Sequence, residues 1–133
     1  MTQFYLRVRF AETDQMGIAH HSAYVVWLEA ARVEWLRERG MSYREWENEG
    51  VSLAVSGLEI NYRSSASFDD ELVVDTKLIE AKSRRFKFAY VIKRGDVKLA
   101  EAFSLHTPTD QRGRAIRLPD KWMQGLEQYL EPL

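Results

Sequence analysis

The segment from His21 to Arg39 constrains this chain most. It holds neither Pro nor Gly, is rich in Ala, Leu, Glu and Arg, and stops at Gly40, which predicts a helix of about five turns. Its first half, Ala23 to Leu28, is apolar on every side, whereas Arg32, Glu34, Arg37 and Glu38 make the second half progressively wetter. A surface helix keeps one polar face along its whole length, so this one is expected to begin deeply wrapped and to end near solvent. The wrapping has to come from the rest of a 133-residue chain.

Strand patterns supply it. From Phe4 to Phe10 the chain alternates, with Phe4, Leu6, Val8 and Phe10 on one face and Tyr5, Arg7 and Arg9 on the other. Ser42 with Glu45 three residues on reads as a capping box for one or two helical turns, ended by Gly50. Val51, Leu53 and Val55 then alternate in one phase and Leu58, Ile60 and Tyr62 in the other, and a bulge at Gly57 would reconcile the two. Leu72–Glu80, Phe86–Lys93 and Val97–His106 each alternate, and Arg94-Gly95-Asp96 suits an antiparallel hairpin. The small residues Ala100, Ala102 and Ser104 on one face of the last strand would let a helix lie close, and Pro119 to Leu130 reads as a closing helix. The order of elements predicts an α+β fold, an antiparallel sheet wrapped around one long helix, as a single domain over residues 1–133. Such a sheet keeps an open edge, so a homodimer, or a tetramer made of two dimers, is expected.

Composition narrows the function. With 19 Lys+Arg against 20 Asp+Glu there is no basic field to draw the chain onto nucleic acid or an anionic membrane. No cysteine is present, which rules out thiol catalysis, thiolate metal sites and disulfides. The first ten residues lack the apolar core of a signal peptide and no run approaches a membrane span, so a soluble cytoplasmic protein is expected. Neither a P-loop nor a dinucleotide fingerprint occurs.

Chemistry concentrates between the first strand and the long helix, where Glu12, Thr13, Asp14, Gly17, His20 and His21 stand beside the helix N-terminus. Free N–H groups and the positive end of the helix dipole can hold a carbonyl oxygen and the charge that develops on it during acyl transfer. Gly17 would let backbone approach a ligand closely. A thioester needs little help with its leaving group, since a thiol ionises near roughly pH 8.5, so one carboxylate and an oxyanion site can suffice. Asp14 is placed to be that carboxylate. Read alone, an Asp before a helix is a cap or turn residue.

These residues also carry a resemblance. ETDQMGIAHHSAYVVWLEAARVEWL resembles the signature of the hot-dog-fold acyl-CoA thioesterases of the 4-hydroxybenzoyl-CoA thioesterase-like group, at Thr13, Asp14, Gly17, His21, Tyr24, Glu29 and Arg32. A weaker similarity runs through INYRSSASFDDELVVDT and extends the match over most of the chain. The resemblance implies a hot-dog fold with active sites at a dimer interface. It implies Asp14 as nucleophile or general base and His21 as the residue positioning the thioester or the attacking water. Gly17, His20, Ser22 and Tyr24 would contact substrate. The sequence departs from the family at His20, where an aromatic residue such as tyrosine is common. Coenzyme A would enter as part of the substrate, with no separate cofactor, and Arg63, Lys82, Arg84 and Arg85 are the residues expected to meet its phosphates.

Other readings compete. His20 and His21 with Asp14 could hold a metal, but adjacent side chains diverge and no metal is expected. Tyr24 and Trp27 could be plain core, and the Lys82–Arg85 turn a solvated hairpin end. Glu29 could be a second acid in the site or could pair with Arg32 one turn on, which the spacing favours. At the level of function, the rivals are a hydratase or dehydratase of acyl thioesters and an acyl-CoA-binding protein without turnover.

Overall fold

A computed structural model of the chain describes residues 1–133. Five strands, β1 (Thr2–Arg7), β2 (Ser52–Tyr62), β3 (Glu71–Lys82), β4 (Arg85–Arg94) and β5 (Val97–Thr109), form one antiparallel sheet in the order β1-β3-β4-β5-β2. The long helix α1 (His21–Glu38) lies against it, with shorter helices α2 (Tyr43–Asn48) and α3 (Asp120–Glu127) at its margins. This is the hot-dog arrangement, and its core is the interface between α1 and the inward face of the sheet.

The helix buries Tyr24, Trp27, Leu28, Ala31, Trp35 and Leu36. Trp35 meets Phe88 edge-on at 5.3 Å between ring centroids, a favoured aromatic geometry. Ala100, Ala102 and Ser104 are buried on β5, so small side chains do occupy the covered face. Ser42 caps α2 by accepting the Glu45 N–H, and Trp46 from α2 stacks on Trp122 from α3 at 5.2 Å. The bulge falls where the two phases of β2 conflict: the register with β5 shifts between Val55 and Gly57. A Cβ on Gly57 would stand 3.0 Å from the Leu105 methyl, which explains the glycine.

Two expectations need correction. Strand β1 ends at Arg7, and Phe10 lies in a single 3-10 turn over Phe10–Glu12 with its ring exposed instead of completing the inward row. The cause is local: the Glu12 carboxylate accepts the Arg9 N–H and winds the chain into a turn before the alternation finishes. The first half of α1 is also less wrapped than its composition suggests, because Val25 and Val26 face away from the sheet and stay 43% and 54% exposed. No element of the same chain covers that side.

Register defines two ends of the sheet. Arg7 pairs with Glu71, and Tyr62 with Ala100, so the loops after β1 and β2 meet at one end. The Lys82–Arg85 turn lies at the other, roughly 35 Å away along β3 at ~3.3 Å per residue. Both outer strands have an open edge, and β2 is the longer and more apolar of the two, with Val55, Leu58 and Tyr62 exposed.

Candidate active site

Asp14 organises its own loop. Its Oδ1 accepts the N–H groups of Met16 (2.8 Å) and Ile18 (3.1 Å), while its backbone N–H donates to the Ile18 carbonyl at 2.9 Å. The turn closes through Gly17, whose φ of 74° is left-handed and costs an L-residue strain. The second oxygen, Oδ2, takes no hydrogen bond from the protein. The carboxyl plane is therefore fixed through one oxygen while the other is left to meet a ligand.

The loop is sewn to the segment that leaves β2. Phe68 donates its N–H to the Gly17 carbonyl and Ala19 donates to Ala66, both at 2.8 Å. That segment is itself held by Asp70, whose Oδ2 accepts the Ser67 N–H at 2.8 Å and Arg94 at 2.9 Å. Glu12 ties the loop to the helix: its nearly buried carboxylate accepts the Trp27 indole N–H at 2.8 Å together with the Arg9 N–H. Burial pushes the Glu12 acid upward, but the hydrogen bonds from Arg9 and Trp27 and the Arg9 charge outweigh it and hold the group below the usual range. Glu12 is a structural anion, and Trp27 is both core and tether.

Helix α1 opens without a side-chain cap, and the N–H groups of His21 and Ser22 have no backbone partner. Beside this open N-terminus lies a cleft of about 290 Å³ whose walls include Ile18, His21, Tyr24, Tyr62, Arg63 and Ser64. Tyr24 is buried, tilted at 52° against Trp27 with centroids 4.7 Å apart and edge-on at 4.9 Å from Tyr62, and burial pushes its phenol up. It is thus a core residue with one side in the cleft. His20 and Ser22 are exposed, and the His20 ring stands edge-on to His21, with centroids 6.5 Å apart at 75°.

A family model of the thioesterase-like superfamily matches residues 8–126. The chain belongs to that superfamily. Hypothetical protein TT1821 from Thermus thermophilus is 40% identical, with a TM-score of 0.93 over 97% of this chain and 99% of that one. The acyl-CoA thioesterase YbgC of Haemophilus influenzae is 31% identical over 100 residues, 74% of each chain. The DHNA-CoA thioesterase of Staphylococcus aureus, 24% identical, shares the fold with a TM-score of 0.92 over 96% of this chain and 89% of its own. The chain is accordingly an enzyme of the thioester-hydrolase class.

The four basic residues of this thioesterase do not converge within one protomer. Arg63 stands at the Asp14 end, paired with Glu101 at 3.2 Å. Lys82, Arg84 and Arg85 stand at the opposite end, where Lys82 and Arg85 share Glu80.

Glu29 and Arg32 do not pair either. Arg32 instead donates to the Tyr90 hydroxyl at 3.2 Å, Tyr90 contacts Ser104 at 2.7 Å, and Ser104 contacts His106 Nε2 at 2.7 Å. Arginine offers no acceptor, so Tyr90 accepts from Arg32, and Nδ1 of His106 faces the Leu53 carbonyl, where its proton fits; together these two ends suit one direction along the chain. Tyr90 accepts from Arg32 and donates to Ser104, Ser104 donates to His106, and His106 carries its proton on Nδ1. That N–H turns toward the Leu53 carbonyl without reaching full hydrogen-bond geometry. Burial first, and then the Arg32 charge, lower the His106 pKa to about 3, so the imidazole is neutral. This relay borders a second cavity of about 330 Å³ between α1, α2 and the sheet. The sequence carried a signal for it: a His and a Ser in the inward phase of β5, where small size alone had explained Ser104.

Proposed function

We propose that the chain hydrolyses acyl-CoA thioesters at the Asp14 loop, as a homodimer joined through the open edges of β2. The observation that carries this is the divided Asp14 carboxylate, one oxygen held by two backbone N–H groups and the other free, beside the uncapped start of α1. A thioester carbonyl seated on the His21 and Ser22 amides would place its oxygen where the helix dipole stabilises negative charge. Oδ2 then either attacks the carbonyl carbon, expelling the CoA thiolate and leaving an anhydride for water to open, or takes a proton from water as that water attacks. In both routes the C–S bond breaks and the thiolate leaves with little need of an acid. His21, in the cleft wall, would orient the ester or the water, and Gly17, His20, Ser22 and Tyr24 would line its approach.

The dimer follows from the edge. A long strand exposing Val55, Leu58 and Tyr62 is a template for pairing unless covered, and a second copy related by a two-fold axis covers it. Antiparallel pairing also reverses the partner's sheet, which carries its Lys82, Arg84 and Arg85 to the side where this protomer holds Asp14 and Arg63. The phosphates of CoA would then lie between basic groups of two chains. Two such dimers would form the tetramer. No helix is long and apolar enough to cross a membrane, and a cytoplasmic location belongs to the same proposal.

Thiol release from a panel of aromatic, short-chain and long-chain acyl-CoAs tests the reading. Turnover on at least one class is expected. Tight ester binding without thiol release, or hydration of enoyl-CoA in its place, would overturn it.

A further inference from the structure

The second cavity is separate from the cleft beside the start of α1 in its own protomer. Arg32 lies eleven residues beyond the start of α1, roughly 16 Å along the axis, and the two spaces share no wall residue. Yet both open along β2. Leu53 and Val55, near the start of the strand, border the second cavity, and Tyr62, at its end, borders the cleft beside the start of α1, whose wall residue Ile18 donates its N–H to Asp14. When two β2 edges pair antiparallel, the start of one strand meets the end of the other, and each second cavity comes beside the partner's Asp14.

The walls have a distinct chemistry. Val33, Leu53 and Phe88 supply apolar surface, and a volume of about 330 Å³ suits a group of modest size. Arg32 is anchored to Tyr90 through one nitrogen, and its other N–H groups have no protein partner. Glu29 and Glu47 also border the space and form no ion pair, so a carboxylate on the ligand would meet two like charges. A hydroxyl or carbonyl oxygen can accept from Arg32 without that repulsion.

We infer that this cavity is the acyl pocket for the Asp14 of the partner chain, and that Arg32 is its specificity-determining residue, selecting acyl groups with a neutral oxygen near the far end. The inference rests on the proposed hydrolysis and on the β2 dimer. Tyr90 and Ser104 act through Arg32 and are positioning residues, while His106 ends the relay and also borders the cavity.

The test uses two acyl-CoAs of equal length, one bearing a hydroxyl or oxo group near the end of the acyl chain and one plain. The native enzyme is expected to favour the oxygenated ester in kcat/KM by about tenfold or more, and Arg32→Met to abolish most of that ratio while still hydrolysing the plain ester. Tyr90→Phe, which keeps the guanidinium but frees it, serves the same purpose if Arg32→Met does not fold, and should lower the ratio. Hybrid dimers of one Asp14→Asn chain and one Arg32→Met (or Tyr90→Phe) chain then report the geometry. Their single working site joins the intact Asp14 of one chain to the intact relay of the other, so the native ratio should return. A native enzyme without preference, or a folded variant with the native ratio, would overturn the role of Arg32. Hybrids showing the variant's ratio would overturn the pocket in trans. Absence of thiol release from any ester would instead strike the proposed hydrolysis itself.

Discussion

At the scale of single residues, Asp14 is a turn former whose side chain is only half used by its loop. The loop takes Oδ1 and leaves Oδ2, so the reading of an Asp before a helix as a turn residue holds and is compatible with the proposed reaction at Oδ2. Gly17 stands out in the sequence for close approach of backbone to a ligand, whereas the structure shows it closing the turn on Asp14 with a left-handed φ of 74°. His106 was legible only as a histidine sharing the inward phase of β5 with Ser104; its link through Tyr90 to Arg32 was not, because alternation says nothing of partners on other elements. Arg32 was legible as a cation but misassigned: helical spacing pointed to Glu29, while the sheet offered Tyr90. The relay has a consequence for stability. In the unfolded chain imidazole gains its proton near the ordinary value of 6.5, whereas in the fold it stays neutral down to about 3. The unfolded state binds more protons between those values, so stability falls as pH drops from about 6.5, by up to ~1.4 kcal/mol per pH unit, and levels off near 3. His106→Gln keeps an acceptor for Ser104 but cannot titrate. Urea unfolding from about pH 6 to about 4.5, above most carboxylate titration, should show a shallower acid slope for this variant than for the native chain. Equal slopes would contradict the buried neutral imidazole.

Among elements, the long helix, the four longer strands and the bulge could all be read from periodicity and from the absence or placement of glycine. The 3-10 turn could not. Phe4, Leu6, Val8 and Phe10 keep a period of two, and only the Glu12 side chain closing on Arg9 shows that the strand has already ended. Glu12 also sets the distance between the Asp14 loop and α1 through the Trp27 indole. Glu12→Ala would leave that buried N–H without a partner, and a loss of about 1–3 kcal/mol in urea stability is expected, with a fall in turnover as the loop shifts. Unchanged stability would show that the tether is not needed.

For the whole molecule, the proposed pairing at the sheet edge would supply what a single chain lacks. The exposed valines of α1 and the separated basic residues make little sense in isolation, and the sequence showed neither, because alternation tells which face of a strand is covered but not by which chain. Leu58, 42% exposed on β2, lies on the edge proposed for pairing. Leu58→Lys places a charge there, the device by which natural edges avoid association. Analytical ultracentrifugation should find this variant shifted to the monomer, with thiol release falling in parallel. A monomeric variant with full activity would contradict a site shared between chains.

Asp14→Asn decides whether Asp14 is the working carboxylate, because its amide oxygen can still accept from Met16 and Ile18 and so preserve the loop. With the best ester of the panel, and with folding verified by urea unfolding, thiol release should fall by about a thousandfold or more. A folded Asp14→Asn enzyme that keeps the native rate would contradict the account.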